Sequence, residues 1–463
     1  MLESPTLVAL SSDLPAVERA ARIPAGFEAT GGVAGIKPSG RPDLAIVAVV
    51  PNREGRRAPV AAAAVFTPNA FAAAPVRLSR AHLAATEPSG DGGFGSAAGI
   101  ISTSGCANAA TGAAGDADQA AVAEYLADAL GIDVEQTLLL STGIIGTRLP
   151  LPIVKGGVAA VVPTLTASDA GLAAAAEALR TTDTRTKAAT VSITLPDPDG
   201  LAVRSVRVTG IAKGVGMIHP RMATMLSIVL TDAAVDAATL HGLLRLSAAR
   251  TWDQLSVDGD TSTNDTVFVL ASGAAGAAPV AAGTREAAEL RRAIEAVARD
   301  LARQQAADGE GATTLITCQV SGGADDADAR AVARSVVRSS LVKAAAHGRD
   351  PNWGRIAGAA GNAVLADEAV LAAAGMPPAA ARDRAGSAAA VDPDRLRIAI
   401  AGTLVFDGSL GGPLEYDPAA VRAAMDAPEL LIRLDLGLGG GAGEAFGCDL
   451  TETYVRENSE YTT

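Results

Sequence analysis

Two short runs constrain this chain more than any other feature: Lys213-Gly-Val-Gly-Met217 and, just downstream, Met222-Ala-Thr-Met-Leu226. Gly214 and Gly216 permit backbone angles that other residues adopt only at a cost. Pro220 stops any continuing helix. Met225-Leu-Ser-Ile-Val-Leu230 then reads as a buried strand. The pattern is a glycine-rich loop that delivers Thr224 to the edge of a sheet. A hydroxyl held at such a junction can attack the carbonyl before it, here that of Ala223. The resulting ester is opened by water, which frees the Thr224 amine. An α-amine has an ordinary pKa of about 7.7–8.0, so much of it is neutral near pH 7–8 and can take the hydroxyl proton during attack. The same residues also fit a plain glycine loop feeding a core strand with a threonine at its edge. Their physics leaves both readings open.

The chain has 463 residues, enough for two or three domains or one large layered core. Apolar residues make up 49% and aromatics only 3%, so helices and sheets are expected to pack closely through Ala and Gly. The formal charge is −13, with 38 basic against 51 acidic residues and no basic patch in the sequence, which argues against a nucleic-acid partner. The three cysteines, Cys106, Cys318 and Cys448, are far apart and form no CxxC pair. With four histidines and no HExxH, no metal site is expected. The opening Met-Leu-Glu-Ser-Pro lacks the pattern of a signal peptide, and no apolar run reaches membrane-spanning length. The expectation is a cytoplasmic protein without a membrane partner.

Strands are expected over 44–50 and 59–67, joined by a Pro-Asn-Arg-Glu-Gly turn, and over 136–140, 189–195, 203–211, 225–230, 313–320, 396–406 and 430–436. Helices are expected over 118–130, 167–180, 237–250, 285–304 and, as one long helix, 327–346. Residues 273–283 and 366–391, rich in Ala, Gly or Pro, read as loose or inserted. Glu87 to Gly95 reads as a flexible loop. The order of elements gives an α/β class.

Asp258-Gly-Asp-Thr-Ser-Thr-Asn-Asp-Thr266 is dense in oxygen ligands, but its glycine comes second where a calcium loop needs it sixth. A structural polar loop near the site is the better reading. Gly437-Leu-Gly-Gly-Gly-Ala442 approaches a dinucleotide fingerprint, yet no βαβ unit follows, so it reads as a turn. A Walker A run and a GxSxG elbow are absent. Thr142-Gly143 closes a short strand. Its hydroxyl and glycine N–H are credible oxyanion donors, although such turns are also common strand ends.

The two opening motifs resemble the self-cleavage signature of the ornithine acetyltransferases, also called bifunctional glutamate N-acetyltransferases, of the arginine biosynthetic route. Further blocks resemble the family in the same order along the chain: Ala25-Gly-Phe with Ala34-Gly-Ile-Lys37, Ser141-Thr-Gly-Ile-Ile-Gly146 with Leu149-Pro150, and Thr181-Thr-Asp183 with Lys187. So do Asp258 to Thr266, Asp350-Pro-Asn-Trp-Gly-Arg355, and the ending from Cys448 through Tyr454-Val-Arg-Glu-Asn458 to Thr463. Thr103-Ser-Gly-Cys-Ala-Asn108 departs from the family's usual block. His219 and Arg221 stand where smaller or uncharged residues are common, close enough to the cut to tune its rate.

The resemblance implies sheets sandwiched between helical layers and self-cleavage into fragments 1–223 and 224–463 that form one globular unit. It assigns Thr224 as nucleophile, Ala223 and Thr224 as the cleavage site, and Thr142 and Gly143 as the oxyanion hole. It assigns substrate contacts to Thr181, Lys213, Thr224, Glu310, Asn458 and Thr463. Lys213 would pair with an α-carboxylate, and Glu310 with the ammonium of ornithine. The implied reaction moves acetyl from N-acetyl-L-ornithine to L-glutamate through an acetyl-threonine. No cofactor is required, and acetyl-CoA is an additional donor if the enzyme is bifunctional. The fragments are expected to associate as a heterotetramer or higher multiple. Competing readings are an amidase or peptidase with an N-terminal nucleophile, an acyltransferase of a secondary-metabolite pathway, and a non-catalytic relative that never processes.

Overall fold

Leu44–Val49 is buried along its whole length, and its two faces serve two different cores. Leu44, Ile46 and Ala48 meet Val122 and Leu126 of helix Gly112–Leu130 and Val154 and Val158 of helix Leu151–Val161. Ala45, Val47 and Val49 point the other way, as the two-residue period of a strand requires. The computed structural model that shows this describes Leu7 and residues 13–219 and 225–460. The expected nucleophile Thr224, the preceding Ala223, Arg221 and the terminal Thr463 lie outside the described residues.

The described chain is mixed α/β with three sheets. The first has four strands, in the order Phe27–Gly32, Leu44–Val49, Gly99–Cys106, Thr137–Ile144. The second has six: Phe94–Ala97, Val60–Phe66, Thr266–Ala271, Leu226–Thr231, Val203–Lys213, Lys187–Pro196. Its two central strands, Leu226–Thr231 and Thr266–Ala271, run parallel with Leu226 opposite Thr266 and are buried throughout. Such double-sided burial explains their largely apolar sequences, in which Ser227, Thr231 and Thr266 are the exceptions. On one face Val229, Val267 and Val269 pack with Leu244 of helix Ala237–Arg250 and Leu290, Val297 and Leu301 of helix Arg285–Ala307. On the other, Ile228, Leu230, Phe268 and Leu270 share a core with the inner face of the four-stranded sheet and with helices Ala74–Thr86 and Asp169–Leu179. Small residues set this spacing: a Cβ on Gly31 would lie 2.1 Å from the carbonyl oxygen of Ala174.

The third sheet has seven strands, in which Leu315–Gly323 has Glu429–Asp435 parallel on one side and Gly441–Cys448 antiparallel on the other. Val332 and Val336 of helix Asp326–Arg338 and Ile356 of helix Trp353–Gly361 cover one of its faces.

The strands expected over 44–50 and 59–67 form with the expected turn between them, and they lie in two different sheets. Three other expectations need correction. The single helix expected over 327–346 is two, Asp326–Arg338 and Ser340–His347. Between them Ser339 is extended (φ −62°, ψ 114°), and its hydroxyl accepts the amide of Val342 as an N-cap. The strand expected over 396–406 is a pair, Arg397–Ile400 and Thr403–Asp407, which turns at Ala401-Gly402, both with positive φ. Finally, 366–391 is not loose. It contains helices Glu368–Ala373 and Pro378–Arg384, which bury Leu371 and Ala381 against Leu365 and Ala327.

Candidate active site

Segments from both halves of the chain meet around a cavity of about 310 Å³. Thr142 and Gly143 come from the end of strand Thr137–Ile144, and Lys213 from the end of Val203–Lys213. Thr181 comes from the turn after helix Asp169–Leu179, Glu310 from the turn after Arg285–Ala307, and Asn458 from the last helix, Glu452–Ser459. These six expected site residues therefore line one cavity. Met225 and Leu226, at the start of the central strand, line it too.

Lys213 is the cation of this cavity. Its Nζ donates to Thr142 Oγ1 at 3.0 Å, which leaves the threonine's own proton for another acceptor. Removal of its ammonium from water lowers the Lys213 pKa, and nearby Lys187 adds to the drop, against the opposing pull of Asp183, Glu310 and Asp265. Backbone ties fix the lysine: Gln305 Nε2 donates to its carbonyl at 2.9 Å, and the next amide, Gly214 N, donates to Asp183 Oδ1 at 2.8 Å.

Asp183 anchors a fully buried ion cluster under this wall. Lys187 Nζ lies 2.6 Å from Asp183 Oδ1 and 2.6 Å from Asp308 Oδ2. Burial alone would raise the Asp183 carboxyl, but the Lys187 and Lys213 cations and these hydrogen bonds hold it down at about 2. Asp183 Oδ2 also accepts the amide of Thr181 at 3.1 Å, and Asp308 accepts both the amide and the hydroxyl of Thr184. The Thr181-Thr182 turn is thus pinned at both ends.

Glu310 presents the opposing charge. Its Oε1 accepts from Thr182 Oγ1 at 2.9 Å and its Oε2 from Asn458 Nδ2 at 3.0 Å. The carboxylate lies over Gly216, where a Cβ would sit 2.3 Å from Glu310 Oε2. Gly143 is equally constrained. Its φ is 131°, and a Cβ there would fall 2.4 Å from the carbonyl carbon of Gly105.

The Asp258 to Thr266 run, read from sequence as a polar structural loop, proves to be part of the wall. Asp258 accepts the amides of Met217 and Ile218 and so fixes the end of the glycine-rich run. Asn264 Nδ2 donates to the carbonyls of Ala107 (2.7 Å) and Ser141 (2.8 Å), which holds the Thr142-Gly143 strand end in place. Asp265 lines the cavity with a buried Oδ2 that has no hydrogen-bond partner among the described residues, and burial drives its pKa well above the ordinary carboxyl range. The density of side-chain oxygens was the signal for this loop. What it lacked was any indication of the distant backbone it would hold.

Other motifs take structural parts. Asp43 accepts the four consecutive amides of Ala34 to Lys37. The Cys106 thiol donates to Thr147 O at 3.1 Å, and burial raises its pKa, which suits a packed thiol and not a nucleophile. Buried His219 pairs through Nδ1 with Ser256 Oγ at 3.1 Å. Among the described residues no helix is long and apolar enough to cross a membrane. Chemically, the cavity offers an ammonium and a carboxylate to a small zwitterion, beside a hydroxyl and a bare strand end suited to stabilising an oxyanion.

The model of the ArgJ family matches residues 28–463. The chain is 40% identical over 440 residues to the arginine biosynthesis bifunctional protein ArgJ of Deinococcus radiodurans, covering 95% of this chain and 97% of that protein. It is 42% identical over 450 residues to the protein of the same name from a Synechococcus species, covering 95% and 96%. Among solved structures it is similar to an ornithine acetyltransferase from Mycobacterium tuberculosis complexed with ornithine, with 36% identity and a TM-score of 0.38, covering 45% of this chain and 99% of that one.

Proposed function

This chain belongs to the ArgJ family, and on that premise we propose that it is an acetyltransferase of arginine biosynthesis that cuts itself between Ala223 and Thr224 and then acts through Thr224. The observation that carries this reading is the single cavity to which residues 142, 143, 181 and 213 contribute from one side of that bond, and 310 and 458 from the other. A site divided in this way needs both fragments, 1–223 and 224–463, held together as one unit.

In the first half-reaction Thr224 Oγ attacks the acetyl carbonyl of N-acetyl-L-ornithine, and the Thr224 α-amine takes the hydroxyl proton directly or through water. The Thr142 hydroxyl and the Gly143 N–H receive the developing oxyanion. Lys213 orients the Thr142 hydroxyl through the 3.0 Å bond, and its positive charge suits the substrate α-carboxylate. Glu310, held by Thr182 and Asn458, is placed for the ornithine side-chain ammonium. Thr181 lines the same pocket, and Thr463 is assigned there by the family resemblance. The C–N bond breaks, ornithine leaves with the proton returned by the amine, and acetyl-Thr224 remains. L-Glutamate enters the vacated pocket, and its α-amine attacks the ester carbonyl. The bond from Thr224 Oγ to the acetyl carbon breaks, and the proton lost by the glutamate amine passes through the Thr224 α-amine to Oγ, giving N-acetylglutamate and free Thr224. The bifunctional relatives support acetyl-CoA as a second donor. We place the enzyme in the cytoplasm, as a heterotetramer or higher multiple of the two fragments.

Intact mass spectrometry of the purified protein beside Thr224→Ala tests the premise. Two fragments that part between Ala223 and Thr224, with the variant uncut, are expected. An unmodified chain that stays whole after incubation overturns the mechanism, and faster acyl transfer to water than to glutamate overturns the transferase reading.

A further inference from the structure

Beside the catalytic cavity lies a second and larger one, a groove of about 1150 Å³. Helices Asp326–Arg338, Ser340–His347 and Trp353–Gly361 bound it, together with the start of the 366–391 segment. Among the described residues three guanidinium groups, those of Arg334, Arg338 and Arg355, line this groove against one carboxylate, Asp367. Asp367 is already engaged as an N-cap, accepting the amide of Val370 at 3.0 Å. In a chain of net charge −13 this is a local reversal of sign. Among the described residues Arg338 makes no ion pair, and the side chain of Arg355 donates only to the carbonyl of Leu341, at 2.9 Å. The charges of Arg338 and Arg355 are therefore not consumed by ion pairs among the described residues.

The shape of the groove points the same way. Helix Trp353–Gly361 turns Gly354 and Gly358 toward it, and a Cβ added at Gly358 would meet nothing within 4 Å. Glycine inside a helix costs about 0.5–1 kcal/mol relative to alanine, so space is being kept here that packing does not need. The Asp350-Pro-Asn-Trp-Gly-Arg355 block, which the catalytic cavity does not use, supplies Asn352, Gly354 and Arg355 to this one.

The two cavities meet at one stretch of backbone. Met217 and Ile218 line the first and His219 the second. The guanidinium stem of Arg338 passes beside Gly259, with Nε 3.9 Å from where a Cβ would stand. The adjacent Asp258 holds the amides of Met217 and Ile218. A cavity of about 310 Å³ is near the lower end of small-molecule sites. It suits an acetylated amino acid, whereas a nucleotide-bearing thioester must lay most of its body outside.

We propose that this arginine-lined groove binds the phosphate groups of a coenzyme A-type acyl thioester and so directs its acyl end past residues 217–219 to the catalytic cavity. The inference rests on the acetyltransferase reading above and assigns the second donor its own site. Arginine forks match phosphate oxygens two bonds at a time. In the covalent step the Thr224 Oγ–acetyl carbon bond forms and the carbon–sulfur bond breaks. The hydroxyl proton passes through the α-amine to the leaving thiolate, and the product acetyl-Thr224 is the same ester that acetylornithine gives.

The test uses the processed enzyme and an Arg338→Ala/Arg355→Ala double variant, titrated calorimetrically with coenzyme A. The unmodified enzyme is expected to bind coenzyme A, more weakly as salt rises. The variant should bind at least about tenfold more weakly and show a matching rise in KM for acetyl-CoA. Its acetylornithine–glutamate exchange should stay within about twofold of the unmodified rate, because neither arginine lines the catalytic cavity. Equal coenzyme A binding by the two proteins, or none by the unmodified one, overturns the site. So does a variant that changes oligomeric mass while binding coenzyme A normally, which would make the groove a contact between copies. Absence of the exchange from the unmodified enzyme would count against the function proposed above, and the titration would still decide the groove.

Discussion

Lys213 at the candidate active-site cavity and Arg338 in the neighbouring groove are both cations of an acidic chain, yet their surroundings are opposite. Lys213 sits on the hydroxyl of Thr142, above a buried Lys187 with a carboxylate on each side. The turns beside it are tied by backbone amides to Asp183 and Asp258. Arg338 is exposed and has no ion-pair partner among the described residues. Under the function proposed above, the difference separates two tasks. A site that stabilises a short-lived oxyanion needs donors that do not reorganise, and fixed neighbouring charges supply that here. A site that holds the far end of a long, flexible donor needs only favourable charge and room.

The sharpest way to break this comparison is to remove the fixed cation. Lys213→Met is expected to lower kcat/KM for acetylornithine–glutamate exchange by about 10²–10³, because both a carboxylate anchor and the orientation of an oxyanion donor go with it. A loss below tenfold would put Lys213 in the same class as the groove arginines.

Asp183→Asn probes the support beneath. It leaves the buried Lys187 with Asp308 alone, and breaking such a buried pair costs about 3–5 kcal/mol, readable as a lower denaturation midpoint at unchanged m-value. The pH dependence follows from the same carboxyl. Its folded value of about 2 is below the ordinary 3.8, so the folded state favours the charged form. The contribution, about 2 kcal/mol, is full above pH 4 and is lost as pH falls through 2. Asp183→Asn should flatten this part of the acid stability curve, and an unchanged curve would show that the cluster contributes nothing there.

Gly216→Ala is a smaller wedge. The new methyl would press on Glu310 and shift the carboxylate from Thr182 and Asn458. A rise of about tenfold in KM for acetylornithine with little change in melting temperature is expected. Unchanged kinetics would mean that Glu310 is free to move without consequence. The smallest effect concerns alkaline pH. Because desolvation lowers the Lys213 pKa, KM should begin to rise below the pH at which an ordinary lysine, near 10.4, loses its proton.

Much of the wall was legible because its residues lie in compact motifs that resemble those of the family in the same order. That resemblance singles out Lys213 and Glu310, whereas Thr142-Gly143 also reads from its own residues as a pair of oxyanion donors. Asp308, in the same turn as Glu310, was passed over because its partner Lys187 is remote in sequence, and buried ion clusters have no local period. Asn264 was missed for the same reason, since its acceptors belong to strand ends in another sheet. The strands over 189–195 and 203–211 formed as expected and paired antiparallel, since alternation reports burial directly. The break at Ser339 was hidden because alanine-rich periodicity continues across it, and only the capping hydroxyl separates the two helices. Segment 366–391 reads as loose by its Gly and Pro content, but Leu371 and Ala381 find partners in Leu365 and Ala327.

The central claim is that an acyl group rests on Thr224 between donor and acceptor. The most direct measurement gives the processed enzyme N-acetyl-L-ornithine without glutamate and weighs both fragments intact. The account predicts a 224–463 fragment heavier by one acetyl group, with the adduct on Thr224 and discharged when L-glutamate is added. An enzyme that exchanges acetyl at its full rate but leaves both fragments unmodified, or acetylated elsewhere, would contradict it.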